Sequence, residues 1–284
     1  YRYNFSGGGS IGSFYTGERG VYQIWGELFG RSPGPFRVLA ALAHLLNVGL
    51  VGLASRRLGA GPRAAAVGAL VFALHPLGPD AVCWISDLYD VMAASFLLGG
   101  LAVAVGANRV GARAGVGALL FLGALLCKEA ALSWVVALPA ALLLLRGWRP
   151  AALHGAGLVV VAAAHGRWHG AIVGGFERSA LDLMRDGPFL ETWLDYLWWP
   201  LGMPVRAGFT HLLTPGEVPI NPGGVAVFLA LLVSLALAVR RPSGANRALA
   251  VGLGVWSVML APGALAASSF LNQSARYLYL PLAL

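Results

Sequence analysis

Charge is scarce in this chain. Only 11% of its residues are Asp, Glu, Lys or Arg, against about a quarter in soluble domains, which excludes an ordinary soluble globular protein. Cysteine is confined to Cys83 and Cys127, too few for a disulfide framework. One bridge between them would need strict geometry, and two small apolar side chains near an interface is the plainer reading. The polar–apolar alternation of a membrane β-barrel is missing, because the apolar runs are continuous. Gly7–Gly9 has no strand–helix context, so a phosphate-binding loop is excluded. There is no initial Met and no signal peptide, and the chain stops at Leu284 inside an apolar stretch. It reads as a fragment, with at least one membrane helix expected beyond each end.

What is present is apolar. Hydrophobic residues make up 58% of the chain and the mean hydropathy is +0.72. Several runs are long enough to cross a bilayer, which predicts an all-α, polytopic helical membrane protein. All of the 20 basic residues but Lys128 are Arg, and Ala and Gly are abundant, as in a GC-rich, bacterial genome. The formal charge of +8 comes from Arg scattered over short loops. That pattern belongs to membrane topology, and no nucleic-acid partner is expected.

Residues 1–35 are polar, glycine-rich and aromatic, and predict a first extramembrane loop with a short amphipathic piece at Val21–Phe29. Spans are then predicted at Phe36–Ala54, Ala64–His75, Pro79–Ala107, Ala114–Cys127, Ala130–Leu145, Ala151–Ala164, Gly224–Val239 and Ala248–Leu265, with a ninth opening at Tyr277. Residues 165–222 form a long polar loop, within which Phe189–Trp199 suits a helix lying in the interface. The whole of 1–284 is read as one transmembrane domain. The loops at 55–63, 108–113, 146–149 and 240–247 hold ten Arg and no acidic residue, while all 12 acidic residues fall on the other side. Short Arg-bearing loops mark the cytoplasm, so the acidic face is expected outside.

The acidic face centres on His75–Asp90 (HPLGPDAVCWISDLYD). Continuous helical spacing would turn Asp80, Asp87 and Asp90 to one side, the first two emerging among the headgroups. Idle carboxylates are costly in a bilayer, so these three are candidate catalytic groups, as a base or as groups orienting an acceptor. They could equally be first-turn helix charges or solvated interface residues. His75 either ends a helix or contacts substrate; with Asp80 alone it makes a weak metal-ligand signal. Lys128, with Glu129 to fix it, either meets a phosphate or faces headgroups in a tight hairpin. Arg276 suits phosphate geometry, while Tyr277 and Tyr279 suit an interfacial belt. Trp193, with Trp198 and Trp199, is either a platform for a sugar or prenyl chain, or part of the same belt.

Together His44–Asn47 (HLLN), His75-Pro76, Asp80-Ala81-Val82, Trp84-Ile85-Ser86, Asp90, Lys128-Glu129 and Arg276–Pro281 (RYLYLP) resemble a known group across residues 15–284. These are the lipid-phosphosugar-dependent glycosyltransferases of the GT-C fold. The chain is especially similar to the transmembrane and tetratricopeptide repeat-containing O-mannosyltransferases and their bacterial relatives. The resemblance implies transfer of a sugar, such as mannose, from a polyprenyl-phosphate donor to a protein or glycan hydroxyl. The active site would face the exterior or periplasm of a bacterial inner membrane. Arg276, Lys128, Glu129 and Tyr277 would serve the donor phosphate, and His75, Trp84 and Trp193 would contact acceptor or sugar.

No cofactor is called for. A divalent metal is compatible with this chemistry but not indicated by any ligand spacing. The chain departs from the family in having Asp80 for the usual Glu, and Asp87-Leu88-Tyr89 for the usual Gly-Arg-Lys. The family's principal catalytic carboxylate follows its first membrane helix, a point expected ahead of Tyr1. The alternative is a lipid-linked sugar transporter or flippase, which would favour mid-membrane charges and repeated halves over charges gathered at one face. A non-catalytic membrane scaffold is a third reading, disfavoured by the clustered outer carboxylates.

Overall fold

The computed structural model describes residues 16–76, 78–106, 109–173, 189–201, 211–212, 220–241, 243–269, 272–273 and 278–283. Almost all of these are helical. The first helix, α1 (Thr16–Phe29), holds the predicted amphipathic piece and is tied to the next by the Trp25 indole donating to Pro35 O at 3.0 Å. Prolines open α2 (Pro33–Arg57) and α3 (Pro62–Leu74), where a missing N–H costs nothing. Then follow α4 (Gly78–Cys83), α5 (Leu88–Ala104), α6 (Val110–Cys127), α7 (Trp134–Arg146) and α8 (Trp148–Val173). After α9 (Phe189–Trp198) come α10 (Pro222–Arg240), α11 (Gly244–Ser269) and the short α12 (Tyr279–Ala283). A two-residue antiparallel bridge pairs His211–Leu212 with Asn272–Gln273.

Five segments are long and apolar enough to cross a membrane: Pro33–Arg57, Val110–Cys127, Glu129–Arg146, Pro222–Arg240 and Asn246–Leu265. Pro62–Leu74 and Leu88–Ala104 are apolar but shorter. The outward faces carry Leu45, Val67, Leu119, Val160 and Val239 in the open. So much exposed aliphatic surface suits a lipid environment and not water.

At the centre stands α5, with Val91, Ala93, Ala94, Leu97, Leu98, Leu101 and Ala102 all buried. A helix apolar all round must be enclosed on every side, and α2, α6, α7 and α12 enclose it. Its pairing with α2 is parallel, fixed by Asn47 Nδ2 donating to Val91 O at 2.8 Å and Arg57 Nη1 donating to Ala102 O at 2.5 Å. A second, smaller core of Leu194, Tyr196, Leu197, Trp199, Leu260, Ala264 and Leu278 joins α9 to α11 and α12.

One sequence expectation changes here. The predicted continuous span Pro79–Ala107 is interrupted: Trp84 is extended (φ −87°, ψ 103°), and a 3₁₀ turn at Ile85–Asp87 intervenes before α5. Helical spacing therefore does not carry from Asp80 to Asp87 and Asp90. The aromatic helix α9 packs one face against the bundle. Thr192, Leu194, Asp195, Tyr196 and Leu197 are buried, and Asn221 bridges to it, donating to Asp195 Oδ1 at 2.6 Å while its own Oδ1 caps Gly223 and Gly224.

Close approach of α9 to α10 rests on Gly224, where an added Cβ would lie 1.8 Å from the Leu194 carbonyl oxygen. That neighbour is backbone and cannot step aside. Gly224→Ala should lower stability in detergent by about 1–3 kcal/mol, the usual cost of overpacking. Gly252→Ala, whose Cβ would meet nothing within 4 Å, should be neutral or mildly stabilising. Equal midpoints for both variants in thermal unfolding would refute the packing.

Candidate functional site

Three of the helices just described end at one level, and polar side chains collect there. Asp90 lies in the first turn of α5 and is buried. Lys128 follows the last residue of α6, where the backbone turns extended (φ −150°, ψ 125°) before a second 3₁₀ turn, Glu129–Ser133. That turn points the lysine inward: Lys128 Nζ lies 3.3 Å from Asp90 Oδ2, with both side chains more than nine-tenths buried. The same ammonium sits 4.1 Å from the centre of the Tyr89 ring, a cation–π contact that shares the charge.

One helical turn away lies a connected hydrogen-bond network. Asn47 of α2 donates to Val91 O and, at 3.1 Å, to the Tyr279 hydroxyl. Ser95 donates to Asn47 Oδ1 at 2.6 Å. His44 Nδ1 is 2.8 Å from the same tyrosine oxygen, and His44 Nε2 is 3.4 Å from Ala73 O. One assignment satisfies every group: Asn47 donates to Tyr279, Tyr279 donates to His44 Nδ1, and His44 Nε2–H points at the carbonyl. Phe72 stacks obliquely on both His44 and Tyr279. Val91, whose carbonyl accepts from Asn47, follows Asp90 directly, so pair and network adjoin on the first turns of α5.

The basic end of the bundle lies opposite, where Arg57 meets Ala102. At about 1.5 Å per residue, the climb along α5 from Ala102 to Asp90 is about 18 Å, well short of a ~30 Å hydrocarbon layer. Asp90 is buried within the apolar bundle, and its pairing with Lys128 is what makes a charge there tolerable.

Each sequence candidate can now be placed. Asp90 and Lys128 meet. Asp87 is buried at the N-cap of α5, without capping it through its side chain. Glu129 is exposed, and Lys128 is paired with Asp90. His75 is half-buried at the end of α3, its N–H reaching Phe72 O at 3.4 Å. Trp84 is 51% exposed. Trp193 is half-buried: its indole donates to Ser257 O at 3.0 Å and its ring meets Phe228 edge-on. It lines an apolar cavity of about 560 Å³ between α7, α9, α10 and α11, together with Leu144, Phe189, Phe228 and Leu231. The helix α4 includes Asp80, but its side chain, like Arg276 and Tyr277, lies outside the described residues.

The sequence undervalued Tyr279, read as a belt residue, and Ser95, not singled out at all. Tyr279 is fully buried; the sign of it was the His44 and Asn47 pair, whose spacing puts two polar groups on one face of an apolar helix. Among the described residues, no group of three or more His, Cys, Asp or Glu side chains is arranged to hold a metal. Cys83 is exposed and Cys127 buried, both as free thiols. No family model, curated protein or solved structure matches this chain.

Removing one member of a buried ion pair leaves an uncompensated charge, at a cost of about 3–5 kcal/mol. Lys128→Met alone should be destabilising on that scale in micelles, and Asp90→Asn/Lys128→Met together should cost clearly less than the sum of the singles. Strict additivity would show that the two side chains do not interact.

Proposed function

We propose that this chain is the membrane part of a GT-C-type glycosyltransferase, with eight spans and the start of a ninth. It would move a sugar, mannose by the resemblance, from a polyprenyl-phosphate donor to a protein or glycan hydroxyl outside the cytoplasm of a bacterial cell. One observation carries the reading. Four of the motif segments, His44–Asn47, Asp90, Lys128 and the Tyr279 of RYLYLP, are distant in sequence yet bring their polar groups together at the start of α5. An apolar bundle has no structural need to gather them there.

In the reaction, the acceptor oxygen attacks the anomeric carbon, the C–O bond to phosphate breaks, and the acceptor proton passes to a carboxylate. The ammonium of Lys128 competes for the Asp90 carboxylate, so Asp90 is assigned to position Lys128 and the sugar. Asp87, Asp80 or another external acid takes the proton. Lys128 and Arg276 would balance the charge developing on the leaving phosphate. The apolar cavity beside Trp193 suits a prenyl tail, since only hydrocarbon fills such a lining well.

The flippase reading differs in product, because it moves the donor across the membrane and leaves the sugar on its lipid. Full-length protein in proteoliposomes with a polyprenyl-phosphate sugar should glycosylate an acceptor. Asp90→Asn and Lys128→Met should each lower turnover by roughly 100-fold or more. Undiminished transfer in both would remove this site, and donor translocation without transfer would favour the flippase.

Orientation is tested separately. In a background carrying Cys83→Ser and Cys127→Ser, a membrane-impermeant thiol label should reach Gly170→Cys from outside and not Ser243→Cys. The reverse pattern would invert the proposed topology.

A further inference from the structure

The end of the bundle opposite the Asp90 cluster carries its own arrangement, which the proposed reaction does not use. Three guanidinium groups from three helices converge on the carboxyl end of α5. Arg57 of α2 donates to Ala102 O at 2.5 Å, Arg113 of α6 donates to Val103 O at 3.4 Å, and Arg146 of α7 donates to Val105 O. Arg113 occupies the space above Gly106, where an added Cβ would fall 0.9 Å from its Nη1. Arg57 and Arg146 remain exposed and Arg113 half-buried, so their remaining donors face outward.

Among the described residues nothing acidic is paired with them: the ion pairs are Arg31–Glu27 and Lys128–Asp90, and neither lies at this end. The adjoining loops, 55–63, 108–113 and 146–149, contain no Asp or Glu. The carboxyl end of α5 contributes only about half a negative charge against three full positive ones. Each guanidinium has five N–H donors in a planar fork, the geometry that phosphate oxygens match. Basic recesses between helices at a membrane face are where anionic headgroups bind.

We propose that Arg57, Arg113 and Arg146 form a binding site for a phosphate anion. Two sources share that chemistry: the headgroup of an anionic lipid, and free phosphate. The proposed orientation would put the site at the cytoplasmic leaflet, but the site itself does not depend on that orientation or on the glycosyltransferase reading.

Full-length protein in neutral detergent is titrated with a short-chain phosphatidic acid in one arm and inorganic phosphate in the other. Binding is read by native mass spectrometry and by the unfolding midpoint. Saturable binding in the phosphatidic acid arm alone assigns a lipid headgroup; binding in both assigns phosphate itself. Arg113→Gln and Arg146→Gln should each weaken binding by about 10- to 100-fold, the value of a charge-assisted hydrogen bond.

Gly106→Ala keeps all three charges and only displaces the flexible Arg113 guanidinium, so it should weaken binding while the fold is retained. Arg241→Gln removes one charge from an exposed position just past the end of α10 and should change nothing. No saturable binding in either arm, or equal losses in Arg113→Gln and Arg241→Gln, would overturn the proposal.

Discussion

A bilayer does not host an isolated charge, and the pairing of Asp90 with Lys128 is what permits two charged side chains to stand inside this bundle. The pair joins the start of α5 to the end of α6, and the Tyr89 ring completes its enclosure. Its Coulombic gain is set against the desolvation of both ions, so it adds little net stability. What it provides is specificity: any slippage of α5 against α6 would leave a charge in hydrocarbon. The Asn47–Tyr279–His44 network does the same for α2 and α12 with neutral groups, and both act on a single helix, α5.

The two ends of that helix are chemically opposite. Its first turn carries carboxylates and the approach of a lysine, while its last carbonyls receive three arginines. The arrangement agrees with the segregation of charge along the chain, where Arg loops and acidic segments alternate with each apolar run. A helix of 17 residues holds the two poles apart.

How much of this could be read in advance depended on range. Helix starts at Pro33, Pro62 and Pro222 and ends at Arg57, Cys127 and Arg146 follow local rules, and the sequence shows them within a few residues. The break at Trp84 was not legible, because no proline or glycine interrupts Ala81–Tyr89 and the 3₁₀ turn answers to packing. Lys128, as a lone lysine between apolar runs, and Asp90 each drew notice, but their pairing did not. Glu129 is adjacent in sequence and Asp90 is a helix away, and only the fold brings the second one near. Trp193 and Tyr279 were obscured by a shared habit of aromatic residues, which serve belts and cores equally well. Their hydrogen bonds to Ser257 O and Asn47 decide the matter.

The central claim is that Lys128 and Asp90 are in contact within the bundle. Since Lys128 is the only lysine, a membrane-permeant carbodiimide offers a direct measurement, joining a carboxylate to an amine only where the two already touch. Digestion and peptide mass spectrometry should recover a single amide between Asp90 and Lys128. Recovery of Lys128 joined to Glu129, or to any other carboxylate in place of Asp90, would contradict the account.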